Sequence, residues 1–320
     1  MLLFEDIVRA EKIVSKHIIT TPVVHSAALS EAVGEHIYLK LENQQITGSF
    51  KIRGAINAIS NLNPAQKKAG VVALSTGNHG RGLAFAANLM KIRCIICMSK
   101  LVPNNKIEGI KALGAEVRLV GKNQDEAQLE ADRLSSEEGM TYVSPFDNID
   151  VIAGQGTLGL EIHQQIPDLN FAFVPLSGGG LICGVAKALK SLNRKLKVIG
   201  VSMDRGAAMY ESQKAGKPIF VKEEESLADA LTGGIGLDNK YTFQLTKQLV
   251  DDIVLVSEKE IADGIQYAYW RESQIVEGAG AVAIASLLNK KFKPNGPSVA
   301  LMCGRNINME KHFSLISAKS

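Results

Sequence analysis

The chain has 320 residues, 46% hydrophobic and 22% charged, which is ordinary globular composition and a length that suggests about two domains. The formal net charge is only +3, without a basic tail or an aromatic-basic stripe, so nucleic acid is not an expected partner. The apolar runs are strand-sized, and Met1-Leu2-Leu3-Phe4 meets Glu5-Asp6 too early for a signal sequence, so we expect no membrane association and a cytoplasmic location.

The four cysteines and six histidines do not form a disulfide framework or a metal pattern. Cys94 and Cys97 make a C-x-x-C, but they stand inside an apolar run rather than at a helix start, so we interpret them as buried strand thiols. The histidines show no H-x-x-x-H spacing and no mixed Cys/His spacing. We therefore predict no metal site.

Hydrophobic spacing predicts alternating helices and strands through the first half of the chain. An amphipathic helix is predicted over residues 3–16, a strand at 38–42 and a helix after Ser49. From Gly70 onward, predicted strands at 71–75, 94–98, 116–120 and 141–143 alternate with helices at about 79–90, 104–113 and 123–138. This order predicts a parallel sheet with helices packed on it.

Pro145-Phe146-Asp147 breaks this rhythm, and we interpret it as a crossing between domains. The elements predicted beyond it are strands at 171–175, 197–202, 253–256 and 298–302, and helices at about 181–193, 258–272, 279–289 and 308–318. The stretch 203–250 is interpreted only coarsely, as a helix and loops around Gly233-Gly234-Ile235-Gly236.

Thr47-Gly48-Ser49-Phe50-Lys51-Ile52-Arg53-Gly54 is the stretch best suited to chemistry. We take Ser49 as the N-cap of the following helix, which places Lys51 in the first turn. The positive end of the helix dipole and any burial both favour the neutral amine, which can form a Schiff base. Phe50 could lay its ring against a flat cofactor. A lysine near a helix start is usually solvated, however, so this stretch alone does not establish Lys51 as a Schiff-base lysine.

Two further stretches connect a strand to a helix. Ser75-Thr76-Gly77-Asn78-His79-Gly80 follows the apolar run 71–74, and Ser177-Gly178-Gly179-Gly180-Leu181 follows 171–175. In an open parallel sheet such loops lie at the carboxyl ends of the strands, where small molecules bind. Taken alone, the first could be a capped helix start and the second an ordinary tight turn.

In this order the three stretches resemble the threonine/serine dehydratase and serine racemase group of fold type II pyridoxal phosphate (PLP) enzymes. The likeness covers nearly the whole chain. It implies two open parallel-sheet α/β domains with PLP in the cleft between them. The large domain would comprise residues 1–69 and 148–320, and the small domain 70–147. It also implies a homodimer with an amino acid as substrate.

The resemblance implies a role for each matched residue. Lys51 would hold the cofactor and act as base for the substrate α-proton, and Asn78 would bond the ring oxygen. The cofactor phosphate would be cradled by Ser177, Gly178, Gly179, Gly180 and Leu181. The loop binding the substrate carboxylate would be Ser75, Thr76, Gly77, Asn78 and His79. Thr76 would be the candidate acid on the face opposite Lys51.

Cys303 stands where the family has a serine or cysteine facing the pyridine nitrogen. A neutral thiol cannot keep that nitrogen protonated, which favours elimination. Ser177 and Arg305 depart from the family's four glycines and its Ser-Gly-Gly-Asn pattern. We interpret Arg305 as surface charge, with recognition of an acidic substrate as the alternative. Glu277-Gly278-Ala279-Gly280-Ala281 also matches a stretch near the cofactor, and its role stays open.

The resemblance implies elimination of water from a β-hydroxy amino acid, with L-threonine or L-serine giving a 2-oxo acid and ammonia. Racemisation of serine or aspartate is the second hypothesis. The third is the hydroxyectoine-utilisation dehydratase branch, which Ser202-Met203-Asp204-Arg205-Gly206-Ala207-Ala208-Met209 resembles. The fourth is a binding or regulatory protein without activity, which would most readily have lost Lys51. The divalent-cation site of racemase-like members is not expected, because Ser202 and Ala208 replace its carboxylates.

Overall fold

The computed structural model describes residues 1–75 and 77–318, apart from the side chain of Asn105, and their strands form two sheets. The larger sheet consists, in spatial order, of β1 (Val23–His25), β2 (Ile37–Lys40), β10 (Ser298–Leu301), β7 (Phe171–Pro175), β8 (Lys197–Met203) and β9 (Asp252–Val256). β1 pairs antiparallel with β2, and the other neighbours pair in parallel.

The smaller sheet is parallel throughout the described residues. Its strands are, in spatial order, β5 (Glu116–Leu119), β4 (Cys94–Met98), β3 (Val71–Leu74) and β6 (Thr141–Tyr142). Its helices are α5 (Asn78–Leu89), α6 (Asn104–Lys111) and α7 (Gln124–Glu137). Cys94 and Cys97 are buried in β4, as predicted.

Helices also surround the larger sheet, which confirms the predicted α/β class with parallel sheets. They are α1 (Phe4–Val14), α2 (Ala27–Val33), α8 (Ile149–Gln165), α9 (Gly180–Leu192), α10 (Ala208–Ala215), α11 (Thr242–Leu249), α12 (Glu258–Glu272), α13 (Gly278–Leu288) and α14 (Met309–Ser317). The short helix α4 (Pro64–Ala69) leads into β3, and it was not predicted, nor were β1, α2 and α8.

The remaining helix, α3 (Lys51–Ser60), lies where the two sheets meet. Its Ile52, Ile56 and Ile59 share one apolar cluster with Leu83 of α5 and with strands of the smaller sheet. The predicted division nevertheless assigns α3 to the large domain. That division stays a prediction.

A buried ionic cluster holds the opposite side of α3. Arg53 is fully buried, and its guanidinium donates to Glu42 over 2.8 Å, to Glu161 of α8 over 2.8 Å and to Thr157 over 3.2 Å. Lys40 of β2 donates to the same Glu161 over 2.8 Å. Removing one partner from such a cluster typically costs about 3–5 kcal/mol, because it leaves a buried charge uncompensated. The start of α3 is therefore tied firmly to α8 and to the segment that follows β2.

Candidate active site

Lys51 is the first residue of α3, and its side chain lines the cleft. The Nζ atom donates to the carbonyl oxygen of Pro145 over 2.7 Å. Burial lowers the pKa of the amine to about 8 from its ordinary 10.5, although Cys303 and Glu277 act in the opposite direction. A pKa of about 8 leaves roughly one amine in ten neutral at pH 7, far more than for an exposed lysine. This lysine can therefore serve as a nucleophile or a base.

The prediction that Ser49 caps this helix is wrong. The helix follows Phe50, whose φ of −58° is already helical, and among the described residues none hydrogen-bonds the buried Ser49 hydroxyl. Residues 48–50 instead pair with 303–305: the N–H of Phe50 donates to the Cys303 carbonyl over 3.2 Å, and Arg305 donates to Gly48 over 2.9 Å. This bridge commits Ser49 to extended pairing. It also joins the lysine stretch to the Cys303 loop.

A cavity of about 310 Å³ in the cleft brings the predicted stretches together. Its lining includes Phe50, Lys51, Ser75, Gly77, Asn78, His79, Ser177, Gly178, Gly179, Gly180, Leu181 and Cys303. Thr76, the predicted proton donor, lies outside the described residues. Loops after β3, β7 and β10 therefore meet at one place, as expected for the carboxyl ends of parallel strands.

The glycine loop needs its glycines for two different reasons. Gly179 has a φ of +90°, a left-handed conformation that side chains with a Cβ rarely adopt. A Cβ on Gly178 would instead overlap the ring of Phe146, and one on Gly180 would lie 2.8 Å from the Phe146 Cα. Because α9 begins at Gly180, its first backbone N–H groups and its dipole suit an anionic group such as a phosphate.

Asn78 is held on both sides by side chains. Its Nδ2 donates to Oε1 of Glu277 over 2.6 Å, and Asn306 donates to its Oδ1 over 2.5 Å. Burial, followed by the charge of Asp229, raises the pKa of Glu277 to about 7, although the bond from Asn78 acts to lower it. Asn306 was not identified as a site residue from the sequence, although it is the last residue of Cys303-Gly304-Arg305-Asn306.

The substrate loop shows capping and anchoring contacts. The Ser75 hydroxyl accepts from the N–H of Gly77 over 3.3 Å and of Gly80 over 2.9 Å, so it stabilises the start of α5. The ring of His79 donates from Nε2 to the Val143 carbonyl over 2.8 Å. Burial, with the nearby charge of Lys51, lowers the pKa of His79 to about 3, so the ring is neutral. The role of this loop in carboxylate binding stays a prediction.

Cys303 presents an uncharged thiol to the cleft. Its Sγ donates to the Ala279 carbonyl over 3.3 Å. Burial, and then the charge of Glu277, raises its pKa well above the ordinary 9.0, so no thiolate forms near pH 7. Phe50 lies on another wall, with its ring centroid 5.3 Å from the Lys51 amine.

The family model described as "Pyridoxal-phosphate dependent enzyme" matches residues 14–304. This chain belongs to that family. A relative in Sinorhizobium fredii, named provisionally as a threonine dehydratase, is 52% identical over 317 residues, covering 99% of this chain and 96% of the relative. The L-threonine ammonia-lyase of Thermotoga maritima is 43% identical over 310 residues, covering 97% of this chain and 77% of that protein.

Among solved structures, maize serine racemase superimposes with a TM-score of 0.93 at 30% identity, over 98% of this chain and 96% of that one. These matches confirm the fold type II resemblance, and the cofactor is pyridoxal phosphate. The residues in the cleft fit that group: an amine of lowered pKa, a glycine loop at a helix N-terminus and an uncharged thiol line one cavity. In the part of the chain that the structure describes, none of the helices is long and apolar enough to cross a bilayer.

Proposed function

We propose that this PLP enzyme eliminates water from a β-hydroxy amino acid, converting L-threonine or L-serine to a 2-oxo acid and ammonia. The observation that carries the proposal is the presence, in one cleft, of a lysine amine of lowered pKa and an uncharged thiol. The activities named for the Sinorhizobium and Thermotoga relatives support threonine as a substrate.

The bound cofactor would withdraw electrons from the substrate α-carbon and so make its proton acidic. In this proposal Lys51 anchors the cofactor and then moves the α-proton. Ser177, Gly178, Gly179, Gly180 and Leu181 hold the phosphate, and Phe50 flanks the ring. The Asn78 amide already donates one N–H to Glu277 and accepts from Asn306 through its oxygen. Its second N–H is therefore the one available to the ring oxygen.

The substrate carboxylate is assigned to the loop Ser75, Thr76, Gly77, Asn78 and His79. Ser75 supports this assignment indirectly, because its hydroxyl holds the backbone N–H groups at the start of α5 in place. The neutral ring of His79 adds no charge to this loop. Cys303 is assigned to the pyridine nitrogen, where its thiol cannot act as an anion.

Racemisation is the second candidate function, and the likeness to maize serine racemase favours it. It needs an acid on the face opposite Lys51, which we assign to Thr76. The two functions differ in their products, since racemisation returns a D-amino acid and elimination gives a 2-oxo acid.

The purified enzyme tests the proposal through its visible cofactor absorbance and through 2-oxo acid release from L-threonine and L-serine. Lys51→Ala should abolish both the absorbance of lysine-bound cofactor and turnover, whereas Lys67→Ala, on the exposed surface of α4, should change neither. Retention of both signals in Lys51→Ala would overturn the assignment. If the wild-type enzyme released no 2-oxo acid from either substrate, a hydroxyectoine-type substrate would become the leading alternative.

We also propose that the enzyme works in the cytoplasm as a homodimer, with domains of 1–69 plus 148–320 and of 70–147. The cysteines support a reducing compartment, because all four are buried and free within the described chain. The dimer rests on the resemblance, and sedimentation of the holoenzyme tests it.

A further inference from the structure

The segment that crosses from the smaller sheet to the larger one is fixed at both ends. On the smaller-sheet side, the N–H of Val143 donates to the Val72 carbonyl over 3.0 Å, and the Val143 carbonyl accepts from His79. These two bonds continue the pairing of β6 with β3 for one residue and tie it to α5. The crossing therefore begins at a well-defined point.

Asp147 fixes the other end. Its Oδ2 accepts from the N–H of Lys240 over 2.6 Å, and its Oδ1 accepts from Tyr241 and Thr242 over 2.9 Å each. Thr242 begins α11, so this carboxylate also meets the positive end of a helix dipole. Three N–H donors on one carboxylate form a charge-assisted anchor, which is stronger than an ordinary cap.

The helix whose N-terminus Asp147 caps, α11, packs against the glycine loop. A Cβ on Gly179 would lie 3.0 Å from Cβ of Thr242 and 3.1 Å from Oγ1 of Thr246, so the N-terminal half of α11 packs directly on Gly179. Asp147 is thus connected to the proposed phosphate site through one intervening element, the N-terminal end of α11.

Between the two anchors lie Ser144, Pro145 and Phe146, of which Pro145 and Phe146 line the cleft cavity. The Pro145 carbonyl accepts from the Lys51 amine over 2.7 Å, and the ring of Phe146 covers Gly178. The Ser144 hydroxyl accepts from the N–H of Asp147 over 3.1 Å, which closes the turn and sets the direction of the Pro145 carbonyl. A shift of Asp147 would consequently move the acceptor of Lys51.

We propose that Asp147 is a positioning residue for Lys51. By fixing the larger-sheet end of the crossing, its carboxylate presents the Pro145 carbonyl to the lysine amine and holds Phe146 against the glycine loop. The inference rests on the proposed role of Lys51, but it does not depend on which amino acid is the substrate.

Pyridoxal, which lacks the phosphate, is the probe that isolates this effect. Its aldehyde carbon bonds to Nζ of Lys51 with loss of water, and the absorbance change gives the equilibrium constant after subtraction of the Lys51→Ala background. Asp147→Ala removes the carboxylate that anchors the crossing to Lys240, Tyr241 and Thr242. It should weaken pyridoxal capture on the order of tenfold, which corresponds to the loss of about one hydrogen bond to a charged group. Asp147→Asn should fall between wild type and alanine, because it keeps one acceptor oxygen.

Asn308→Ala is the matched control. Asn308 also caps a helix, accepting from Lys311 over 2.9 Å at the start of α14, and it does not line the cleft cavity. Its alanine variant should lose melting temperature yet capture pyridoxal like wild type. If Asp147→Ala lost melting temperature to the same extent with unchanged capture, the residue would be merely structural and the inference overturned.

Two further outcomes keep this inference separate from the proposed function. If Asp147→Ala does not fold, wild-type capture by Asp147→Asn at a lowered melting temperature overturns the inference. Wild-type enzyme that captures pyridoxal normally but releases no 2-oxo acid would overturn the proposed function, while an Asp147 effect on capture would still support the positioning role.

Discussion

Asn306 donates its side-chain amide to Oδ1 of Asn78 over 2.5 Å, and this bond fixes which way the Asn78 amide faces. The second bond, from Nδ2 of Asn78 to Glu277, uses one of the two N–H groups. A single N–H is left for a ligand, so the site presents a donor, rather than an acceptor, at this point of the cleft. A donor is what the ring oxygen assigned to Asn78 requires.

Asn306→Asp should therefore weaken PLP binding on the order of tenfold, because a carboxylate cannot donate to Oδ1 and the Asn78 amide would turn over. A titration of cofactor-free protein followed by visible absorbance measures the dissociation constant. Arg305→Gln is the neighbouring control, since Arg305 is exposed and does not line the cavity. Equal PLP dissociation constants for Asn306→Asp and wild type would show that Asn306 does not orient Asn78 for cofactor binding.

The lowered pKa of Lys51 predicts a pH-dependent stability of the cofactor-free chain. Between about 8 and 10.5, the folded and the ordinary pKa, the folded state binds fewer protons at Lys51 than the unfolded state does. Lys51 therefore makes stability rise as the pH rises through that window, and below it the folded chain carries the cost of a buried ammonium. Lys51→Met should be more stable than wild type at pH 7 by roughly 3 kcal/mol.

Denaturant unfolding of both proteins at pH 7, 8.5 and 10 checks this prediction. The difference in unfolding free energy between Lys51→Met and wild type should shrink as the pH rises, because wild type sheds its buried charge. A difference that stays constant over this range would show that the Lys51 amine has its ordinary pKa in the folded chain.

The pattern of helices and strands was predictable where local periodicity determines it, as in β3, β4 and α9. It failed at α8, because Gly154 and Gly156 look like loop residues in the sequence. In the fold these glycines allow close helix packing: a Cβ on Gly154 would lie 2.6 Å from the Arg53 carbonyl, and one on Gly156 would lie 2.7 Å from the Ile7 side chain. Such contacts join segments that are distant in sequence, so they leave no local signal.

The same limit applies to the site. Lys51, the glycine loop and Cys303 stand in motifs that motif analysis could find. The Asn306 bond to Asn78 and the Asp147 bonds to α11 depend on the meeting of separate loops, and no spacing rule predicts them. The error at Ser49 has the same origin, because its pairing partner is Gly304, far along the chain.

Cys303→Asp should leave the cofactor bound but divert part of the reaction to side chemistry such as transamination. An aspartate would keep the pyridine nitrogen protonated, whereas the buried thiol of Cys303 cannot. The measurement is the ratio of cofactor converted to its amine form to 2-oxo acid released. Cys303→Ser, which keeps an uncharged donor, should retain the wild-type ratio, and the same ratio in Cys303→Asp would count against this assignment.

Activity should survive removal of divalent cations. Ser202 and Ala208 stand where a racemase-like cation site would have carboxylates, and a hard cation needs charged oxygen ligands. The rate of 2-oxo acid release before and after dialysis against EDTA tests this, with the melting temperature as a control for loss of structure. A large loss of rate that magnesium restores would contradict the prediction.

We predict that elimination dominates over racemisation, on the proposal that Thr76 is the second acid. Threonine keeps the hydroxyl that a second acid requires, but its extra methyl restricts χ1 and so the directions in which that hydroxyl can point. A proton donor has to come within about 2.6–3.2 Å of the atom it serves, so a restricted rotamer delivers protons less reliably than serine would. Thr76→Ser should accordingly raise D-isomer formation relative to 2-oxo acid. The measurement is incubation with L-serine and L-threonine in deuterated water, following both products together. Faster formation of D-isomer than of 2-oxo acid by the wild-type enzyme would make it a racemase.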